Sequence, residues 1–270
     1  MLILMRWTFL KMSEPAILAV PRPIRRGRDE GCRRGMAVEL RKRADDTAPA
    51  RASLVDAAYD SLKAAIRENV FPPGYQAAEQ EVARQLGMSR TPVHEAVIRL
   101  QEEGLVRVLP RRGVAVCAIS PDDVREIYDV LIALEGTAAG LLAGQPKEGP
   151  LATVEALERE TGVMAESLAR DDLPAWAAAD ERFHRTLTER CGNRRLARMA
   201  ATVLDQSHRA RMFTLRLRPE PVASAAEHRA ITDAIRAADP PAAETAARTH
   251  RLRARDALVP LLIRHGMRNF

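Results

Sequence analysis

Residues 79–100 contain a short helix, a residue that ends it and the start of a second helix. The stretch Glu79–Leu86 has helical character, and Gly87 stands where a left-handed residue commonly ends a helix. Thr91 can cap the next helix, and Pro92 suits its first position because the N–H that proline lacks has no partner there. This order of elements predicts a helix-turn-helix.

The flanking residues extend this unit to a winged helix-turn-helix over residues 51–119. Apolar residues recur at helical spacing from Ser53 until the turn residues 71–74 end that first helix. After the third helix, two β-rich runs flank a turn at residues 110–113 and predict a hairpin with two arginines at its tip.

The second helix of a helix-turn-helix enters the major groove, and its first turn faces the base edges. Arg90 can reach two acceptors on a guanine edge, and the wing arginines are expected against the DNA backbone or the minor groove. The predicted DNA-binding residues are Gln80, Arg84, Ser89, Arg90, Thr91, His94, Arg111, Arg112 and Gly113.

The net charge of +6 does not by itself identify a DNA-binding protein. Residues 1–50 hold 11 lysines and arginines against 6 acidic residues, so most of the surplus lies there. We interpret residues 1–50 as a disordered basic tail, with Met36 as a second candidate start. The three cysteines, Cys32, Cys117 and Cys191, are scattered and fit a reducing cytoplasm, and no apolar run is long enough to span a membrane.

Residues 120–270 are predicted to be helical throughout. Ser120 can cap the first of these helices, and a proline and two acids follow it directly. A bundle of about six helices makes the whole chain mainly α. The predicted helices are 121–143, 150–170, 173–190, 194–217, 222–238 and 240–265.

Four residues of this bundle have the chemistry of a divalent-metal site. Asp180 and His184 lie four apart and therefore share one helix face. His228 and His250 belong to two later helices, and a bundle can bring three helices to one interior point. One carboxylate and three imidazoles suit Zn²⁺, with Ni²⁺ or Mn²⁺ as alternatives. Unrelated histidines on separate helices are the other interpretation.

Residues 53–118 resemble the winged helix-turn-helix of the GntR family of bacterial transcription regulators. The family usually has arginine where this chain has His94, which implies a different operator or weaker binding at that position. Gln80 stands where family members often carry a charged side chain. The resemblance rests on Phe71–Gly74, Glu81–Val93, Glu95-Ala96, Arg99-Leu100 and Glu102–Val106.

Residues 121–258 are similar to the all-helical FCD domain of the fatty-acid-regulator branch of that family. In many members the positions of Asp180, His184, His228 and His250 bind a divalent metal, which helps to hold a small carboxylate effector. Many members also carry an arginine where this chain has Leu131, so a charge partner for the carboxylate is missing here. Predicted effector-binding residues are Arg182, Asn193 and His208, and Arg209 and Arg211 are further candidates to replace the missing charge. The similarity rests on Ala179–Arg185, Gly192-Asn193, Glu227–Ile231 and His250–Leu252.

The resemblance implies a transcription regulator, commonly a repressor, whose DNA binding responds to a small organic acid. A homodimer would place two recognition helices about 34 Å apart on a palindromic operator. Two alternatives remain open at this point: a metal-dependent enzyme, and a DNA-binding protein whose helical domain only dimerises. The sequence has no His-Glu-x-x-His element and no phosphate-binding glycine loop, and the DNA-binding unit argues against catalysis.

Overall fold

The structure is a computed structural model that describes residues 48–146, 150–217 and 221–265. The predicted basic tail lies outside the described residues, except that helix α1 begins at Ala48 and crosses the expected boundary after residue 50. The elements are α1 (Ala48–Arg67), β1 (Gln76–Ala77), α2 (Glu79–Leu86), α3 (Arg90–Glu102), β2 (Val106–Leu109), β3 (Gly113–Val116), α4 (Pro121–Ala143), α5 (Leu151–Ala169), α6 (Leu173–Glu189), α7 (Arg194–Thr214), α8 (Ser224–Arg236) and α9 (Pro240–Arg264).

The first part of the described chain is a winged helix-turn-helix, here called the head (residues 48–117). Its three helices pack around an apolar core, and Val93, Ala96, Val97 and Leu100 of α3 are fully buried in it. Residues spaced three and four apart line one face of a helix, so α3 keeps its other face for solvent.

Helix α3 begins earlier than the sequence predicted. Ser89, not Thr91, is the N-cap, with extended backbone at φ −75° and ψ 159°. Pro92 is therefore the third helical residue, which is still within the first turn, where backbone N–H groups lack intrahelical partners. Because proline is tolerated throughout the first turn, Pro92 does not fix the residue at which the helix begins. This explains why the predicted start was two residues late.

The wing contains a strand that the sequence pattern did not reveal. Strand β1 has only two residues, too few to show alternation, and it pairs antiparallel with β3, so the sheet order is β1-β3-β2. Gly113 opens β3 at φ +96°, and a Cβ there would lie 2.2 Å from the carbonyl oxygen of Ala77. The close approach of β1 therefore requires glycine at this position.

The second part is an all-helical domain, here called the body (residues 120–265), and the mainly α fold is confirmed. Each predicted helix is present, and the ends differ by three residues or fewer, for example Thr214 in place of 217. Ser120 caps α4 in a capping box with Asp123. Gly136 allows α9 to lie close against α4, because a Cβ there would meet Arg248 Cγ at 2.6 Å. None of the helices in the described ranges is long and apolar enough to cross a membrane.

Candidate functional site

The start of α3 presents a polar face to solvent. Ser89, Arg90, Thr91 and His94 are exposed, whereas Pro92 is buried in the head. The Ser89 side chain makes no capping hydrogen bond, so its hydroxyl and the first N–H groups of α3 are available to a phosphate. These exposed residues lie at the start of the helix that the sequence predicts to face the base edges.

A buried carboxylate that sequence reasoning missed lies directly behind this face. Glu79 is the first residue of α2, and both of its carboxylate oxygens lie 3.1 Å from Nδ1 of His94. Arg90 Nε lies 3.6 Å from Glu79 Oε2. The fifteen-residue separation carries no local signal, because the contact depends on how α2 crosses α3.

The other predicted DNA-binding residues lie on the surface of the head. Gln80, Arg84 and Arg90 line one shallow concavity, and Arg84 forms an exposed ion pair with Glu81 at 2.6 Å. Arg111 and Arg112 are exposed at the turn between β2 and β3, where Arg111 has φ +64°. For Gly113, packing against Ala77 rather than space for DNA explains the glycine.

The four predicted metal ligands converge inside the body. Their candidate ligand atoms all lie within 4.8 Å of one another, and all four residues are buried. Nε2 of His184 lies 3.2 Å from Nε2 of His228 and 3.2 Å from Nε2 of His250. A carboxylate oxygen of Asp180 lies 3.6 Å from the His184 nitrogen. We call these four residues the histidine cluster.

Each imidazole of the cluster has an acceptor near its other nitrogen. Nδ1 of His228 lies 2.6 Å from the Ser224 carbonyl oxygen, Nδ1 of His250 lies 2.8 Å from Glu227 Oε2, and Nδ1 of His184 lies 2.9 Å from Glu135 Oε2. The partners of His228 and His250 place the ring hydrogen on Nδ1 and leave the Nε2 lone pairs facing the common centre, whereas Nδ1 of His184 is close to Glu135 without forming a hydrogen bond. Sequence reasoning missed these outer partners because they lie on other turns or other helices.

The electrostatics favour the metal-binding forms of Asp180, His184 and His228. Burial and the positive charge of Arg251 lower the pKa of His184, and burial and His250 lower the pKa of His228 to about 3. Burial opposes ionisation of Asp180, but the Arg211 guanidinium and the nearby imidazoles outweigh it and lower the pKa of that carboxyl. Neutral imidazoles and an ionised carboxylate are the donor forms that bind metals.

The spacing of the cluster also fits a divalent ion. A tetrahedral ion with metal–nitrogen bonds of about 2.0–2.1 Å separates its ligands by about 3.3–3.4 Å. The observed nitrogen–nitrogen distances of 3.2 Å are close to this value.

A cavity of about 370 Å³ opens beside the cluster. Asp180 and His250 form part of its wall, and Trp176, Tyr128 and Val222 give it an apolar lining. This volume lies at the lower end of the range for small-molecule sites, about 300–1,000 Å³. The space therefore suits a compact organic ligand in contact with the cluster.

The three predicted effector-binding residues do not line this cavity. Arg182 points to the surface and pairs with Glu160 at 2.8 Å. Asn193 caps α7 by accepting bonds from two backbone N–H groups, and His208 is buried with its Nε2 at 3.1 Å from Glu68. Helical neighbours two residues apart face different directions, so Arg182 cannot share the face of Asp180.

Two arginines other than Arg182 lie close to the histidine cluster. Arg211 lines the cavity and lies 2.5 Å from Asp180 Oδ2. Arg251 is fully buried, donates through Nε to Glu135 at 2.7 Å, and has no hydrogen-bond partner for Nη1 among the described residues. Leu131 is buried in the apolar core and supplies no charge.

A polar network joins the body to the head through α6 and α7. Asp205 is 1% exposed and receives Lys63 Nζ at 2.6 Å and Arg185 Nη2 at 2.7 Å. Glu181, the residue after Asp180, pairs with Arg67 of α1 and with Arg185. Residues of α1 are thus tied to the two helices that also carry cluster-side residues.

Helix α7 also holds the backbone of the head. Arg209 is buried and donates to the carbonyl oxygen of Cys117 at 3.0 Å, at the end of the wing. Gln206 donates to the carbonyl oxygen of Glu103 at 3.1 Å, at the end of α3. Arg209 therefore contributes to the head–body contact and does not line the cavity.

Two sequence families match this chain. Residues 54–116 match the family described as bacterial regulatory proteins, gntR family, and residues 126–253 match the FCD domain. A transcriptional regulator encoded in the TAR-I ttuE-ttuC′ intergenic region of Agrobacterium vitis is 61% identical over 136 residues, 50% of this chain and 80% of the relative. A regulator from an unstable DNA locus of Streptomyces ambofaciens is 33% identical over 197 residues, 71% of this chain and 79% of the relative.

A repressor and two solved structures extend the comparison. A probable D-xylose utilization operon repressor of Paenarthrobacter nicotinovorans is 31% identical over 205 residues, 74% of this chain and 86% of the relative. The structure of McbR/YncC from E. coli has a TM-score of 0.67 at 18% identity and covers 78% of this chain and 98% of its own. A GntR regulator from Rhodococcus sp. RHA1 has a TM-score of 0.65 at 24% identity, with 77% and 98% covered. The two structures support the fold, and the matches together show that this chain is a DNA-binding transcription regulator of the GntR family with an FCD domain.

Proposed function

We propose that a small organic acid, held beside a divalent metal ion in the body, controls operator binding by the head. The observation that carries this proposal is the convergence of three imidazole Nε2 atoms and the Asp180 carboxylate at the wall of a cavity of about 370 Å³. The domains divide near residue 119 into a DNA-binding part and a ligand-binding part.

Asp180, His184, His228 and His250 would hold the ion, and Zn²⁺ suits the nitrogen and oxygen donors and their spacing. When bound, the ion supplies a concentrated positive charge that attracts an anionic group. Ni²⁺ and Mn²⁺ accept the same donor types, and availability in the cell decides between them.

The lining of the cavity defines the class of effector. Trp176 and Tyr128 offer apolar surface, which favours an acid with a compact apolar body over a polyhydroxylated sugar acid. Arg211 lies at the wall and can pair with a carboxylate, although it shares its charge with Asp180. Arg251 adds a buried positive charge near the cluster in place of the charge that Leu131 lacks.

The effector would act on DNA binding through α6 and α7. Asp180 belongs to the cluster, and the next residue, Glu181, pairs with Arg67 of the head. Arg211 contacts Asp180, and two residues earlier Arg209 holds the carbonyl oxygen of Cys117. A ligand that prefers one placement of these helices shifts the head toward the matching placement.

We further propose that the chain acts as a homodimeric repressor on a palindromic operator. Two recognition helices must enter successive major grooves about 34 Å apart, and a second copy of the head supplies the second helix. The response to the effector then depends on how the two bodies space the heads.

The test combines metal analysis, thermal unfolding and mobility shift with the full chain. We expect about one Zn²⁺ per chain, removal of which by a chelator lowers Tm by roughly 5–10 °C, given about 2.7 kcal/mol at a hundredfold excess over Kd. Carboxylic acids that raise Tm should change the affinity for the intergenic DNA next to the gene. Metal-free protein with no response to any acid would overturn the proposal and favour a purely dimerising body.

A substitution separates sensing from transmission. Asp205→Asn keeps the shape of the side chain but removes the charge that receives Lys63 and Arg185. We expect the variant to bind metal and acid as before while the effect of the acid on DNA affinity falls. Asp233→Asn, on the exposed face of α8, is the matched control. An undiminished response in Asp205→Asn would contradict the proposed route.

A further inference from the structure

The contact between Glu79 and His94 bears on which bases the head recognises. Glu79 is 8% exposed at the start of α2, and its two carboxylate oxygens both lie 3.1 Å from Nδ1 of His94. The His94 side chain remains 51% exposed on the reading face of α3. One edge of the imidazole is therefore committed to the protein, and the opposite edge carries Nε2.

The chemistry of the pair fixes the hydrogen on the ring. An ionised carboxylate only accepts hydrogen bonds, so the nitrogen beside it must carry hydrogen. In a neutral imidazole the other nitrogen then has a lone pair and no hydrogen. In the neutral ring, Nε2 of His94 is accordingly an acceptor, and in the protonated ring it would be a donor.

The neighbouring residue Arg90 donates hydrogen bonds, whereas Nε2 of His94 accepts them. Arg90 lies one turn before His94 on the same face of α3, and its side chain is 72% exposed. Its Nε is 3.6 Å from Glu79, which leaves the terminal guanidinium nitrogens for DNA. A guanidinium only donates and suits guanine O6 and N7, whereas an acceptor suits the amino group of adenine or cytosine.

We propose that Glu79 is a positioning residue that holds His94 in the Nδ1–H form, so that His94 selects a base with an exposed amino group, adenine or cytosine, beside a guanine selected by Arg90. The specificity arises from a buried carboxylate that does not itself touch DNA. This inference concerns the head alone and does not depend on the metal or the effector.

The test is selection of binding sites from a randomised duplex library by the full chain at pH 8.5, above the usual titration range of imidazole. We expect the wild type to select adenine or cytosine at one position next to a selected guanine. His94→Arg should select guanine at that position, because arginine donates where the imidazole accepts. Mobility shifts should then show that guanine costs the wild type about fivefold or more in affinity, the lower end for one mismatched pair.

Substitutions of Glu79 distinguish positioning from simple packing. Glu79→Ala frees the ring to adopt either form and should lose the preference at the His94 position while the preference for guanine at the Arg90 position persists. Glu79→Gln keeps the shape of the side chain, but its amide can either accept from Nδ1 or donate to it, so the preference should weaken here as well. Glu102→Gln, exposed at the end of α3, is the control for loss of a carboxylate.

Two results would overturn the proposal. The first is a wild-type preference for guanine or thymine at the His94 position. The second is an unchanged base preference in folded Glu79→Ala, which would make the pair only a tie between α2 and α3. If Glu79→Ala does not fold, the comparison of wild type with Glu79→Gln and His94→Arg still decides, because Glu79→Gln keeps the packing of the side chain without fixing the position of the ring hydrogen.

Discussion

At the scale of single residues, local spacing reveals side chains on one helix face but not those that meet across helices. Asp180 and His184 could be paired from sequence because residues four apart share a face. Arg182, two residues away, was assigned to the same site and points to Glu160 at the surface instead. Glu79 and Arg251 carried no local signal, since their partners are separated in sequence and depend on helix packing.

The outer partners of the cluster should contribute measurably to metal affinity. Glu227→Gln removes the charge that accepts the hydrogen of His250 Nδ1 at 2.8 Å, and we expect Zn²⁺ affinity to fall by about 10- to 100-fold. Glu244→Gln, at a half-exposed position on α9, should leave affinity unchanged. Competition with a chromophoric chelator measures both, and equal affinities in the two variants would contradict the expectation.

The pair of Glu68 and His208 should make the head–body contact sensitive to acid. The hydrogen bond from His208 lowers the pKa of Glu68 below its ordinary 4.5, although partial burial opposes the shift. A carboxyl with a lowered folded pKa stabilises the protein above its unfolded pKa, and this contribution is lost as the pH falls through the folded value.

We therefore expect Glu68→Gln to reduce the free energy of unfolding by a few tenths to about 1 kcal/mol at pH 7, since the carboxyl is half exposed. The difference from wild type should narrow as the pH falls below about 4.5, the ordinary value for this carboxyl, and through its lowered folded pKa. Urea unfolding across this range provides the measurement, with Glu102→Gln as the control. A difference that grows on acidification would show that the sign is wrong.

At the scale of elements, the sequence predicted the long helices well and the wing incompletely. Capping residues and prolines mark where α4, α6 and α9 begin. In the structure, the side chain of each N-cap accepts a backbone N–H, and these N-caps are Ser120, Asp172 and Asp239. Strand β1 escaped prediction because two residues cannot show a period. The sequence contains the glycine that β1 requires, but it does not reveal that the close approach of β1 is why glycine is needed there.

Gly113→Ala should disrupt the wing. A Cβ would lie 2.2 Å from the Ala77 carbonyl oxygen, and the backbone has φ +96°, so strain and displacement of β1 are expected together. We expect a loss of about 2 kcal/mol or more in stability, within the range for strained positions. Thermal unfolding measures it.

Gly162→Ala provides the matched control in α5. A Cβ at Gly162 meets nothing within 4 Å, so alanine should stabilise the helix by about 0.5–1 kcal/mol. DNA affinity should fall for the Gly113 variant and stay constant for the Gly162 variant. Equal stability of the two variants would mean that β1 contributes little to the wing.

At the scale of the whole molecule, DNA binding depends on the placement of basic residues and not on their total number. The charge surplus counted from the sequence lies mainly in residues 1–50, whereas the predicted contacts of the head come from a few exposed arginines. Phosphate contacts and base contacts can be told apart by their salt dependence and by their effect on base preference.

We expect Arg111→Ala and Arg112→Ala to weaken binding to all sequences alike and to reduce the slope of log affinity against log salt by about 0.9 for each phosphate that the variant no longer neutralises. Arg90→Ala should instead relax base preference at a cost of about 1–3 kcal/mol. Arg236→Ala on α8, where the arginine pairs with Glu158, is the control. Mobility shifts at salt concentrations between about 50 and 200 mM provide the data, and an unchanged slope for both wing variants would exclude the wing from the interface.

Adjacent residues of α6 serve different partners: Asp180 belongs to the cluster, and Glu181 pairs with Arg67 of the head. The opposite side of the cavity, including Val222 and Ala257, is built by residues outside this helix. Mutations on that side can accumulate without disturbing the connection to the head. After gene duplication, substitutions on that side would change what the cavity accepts while the contacts of α6 with the head are inherited unchanged.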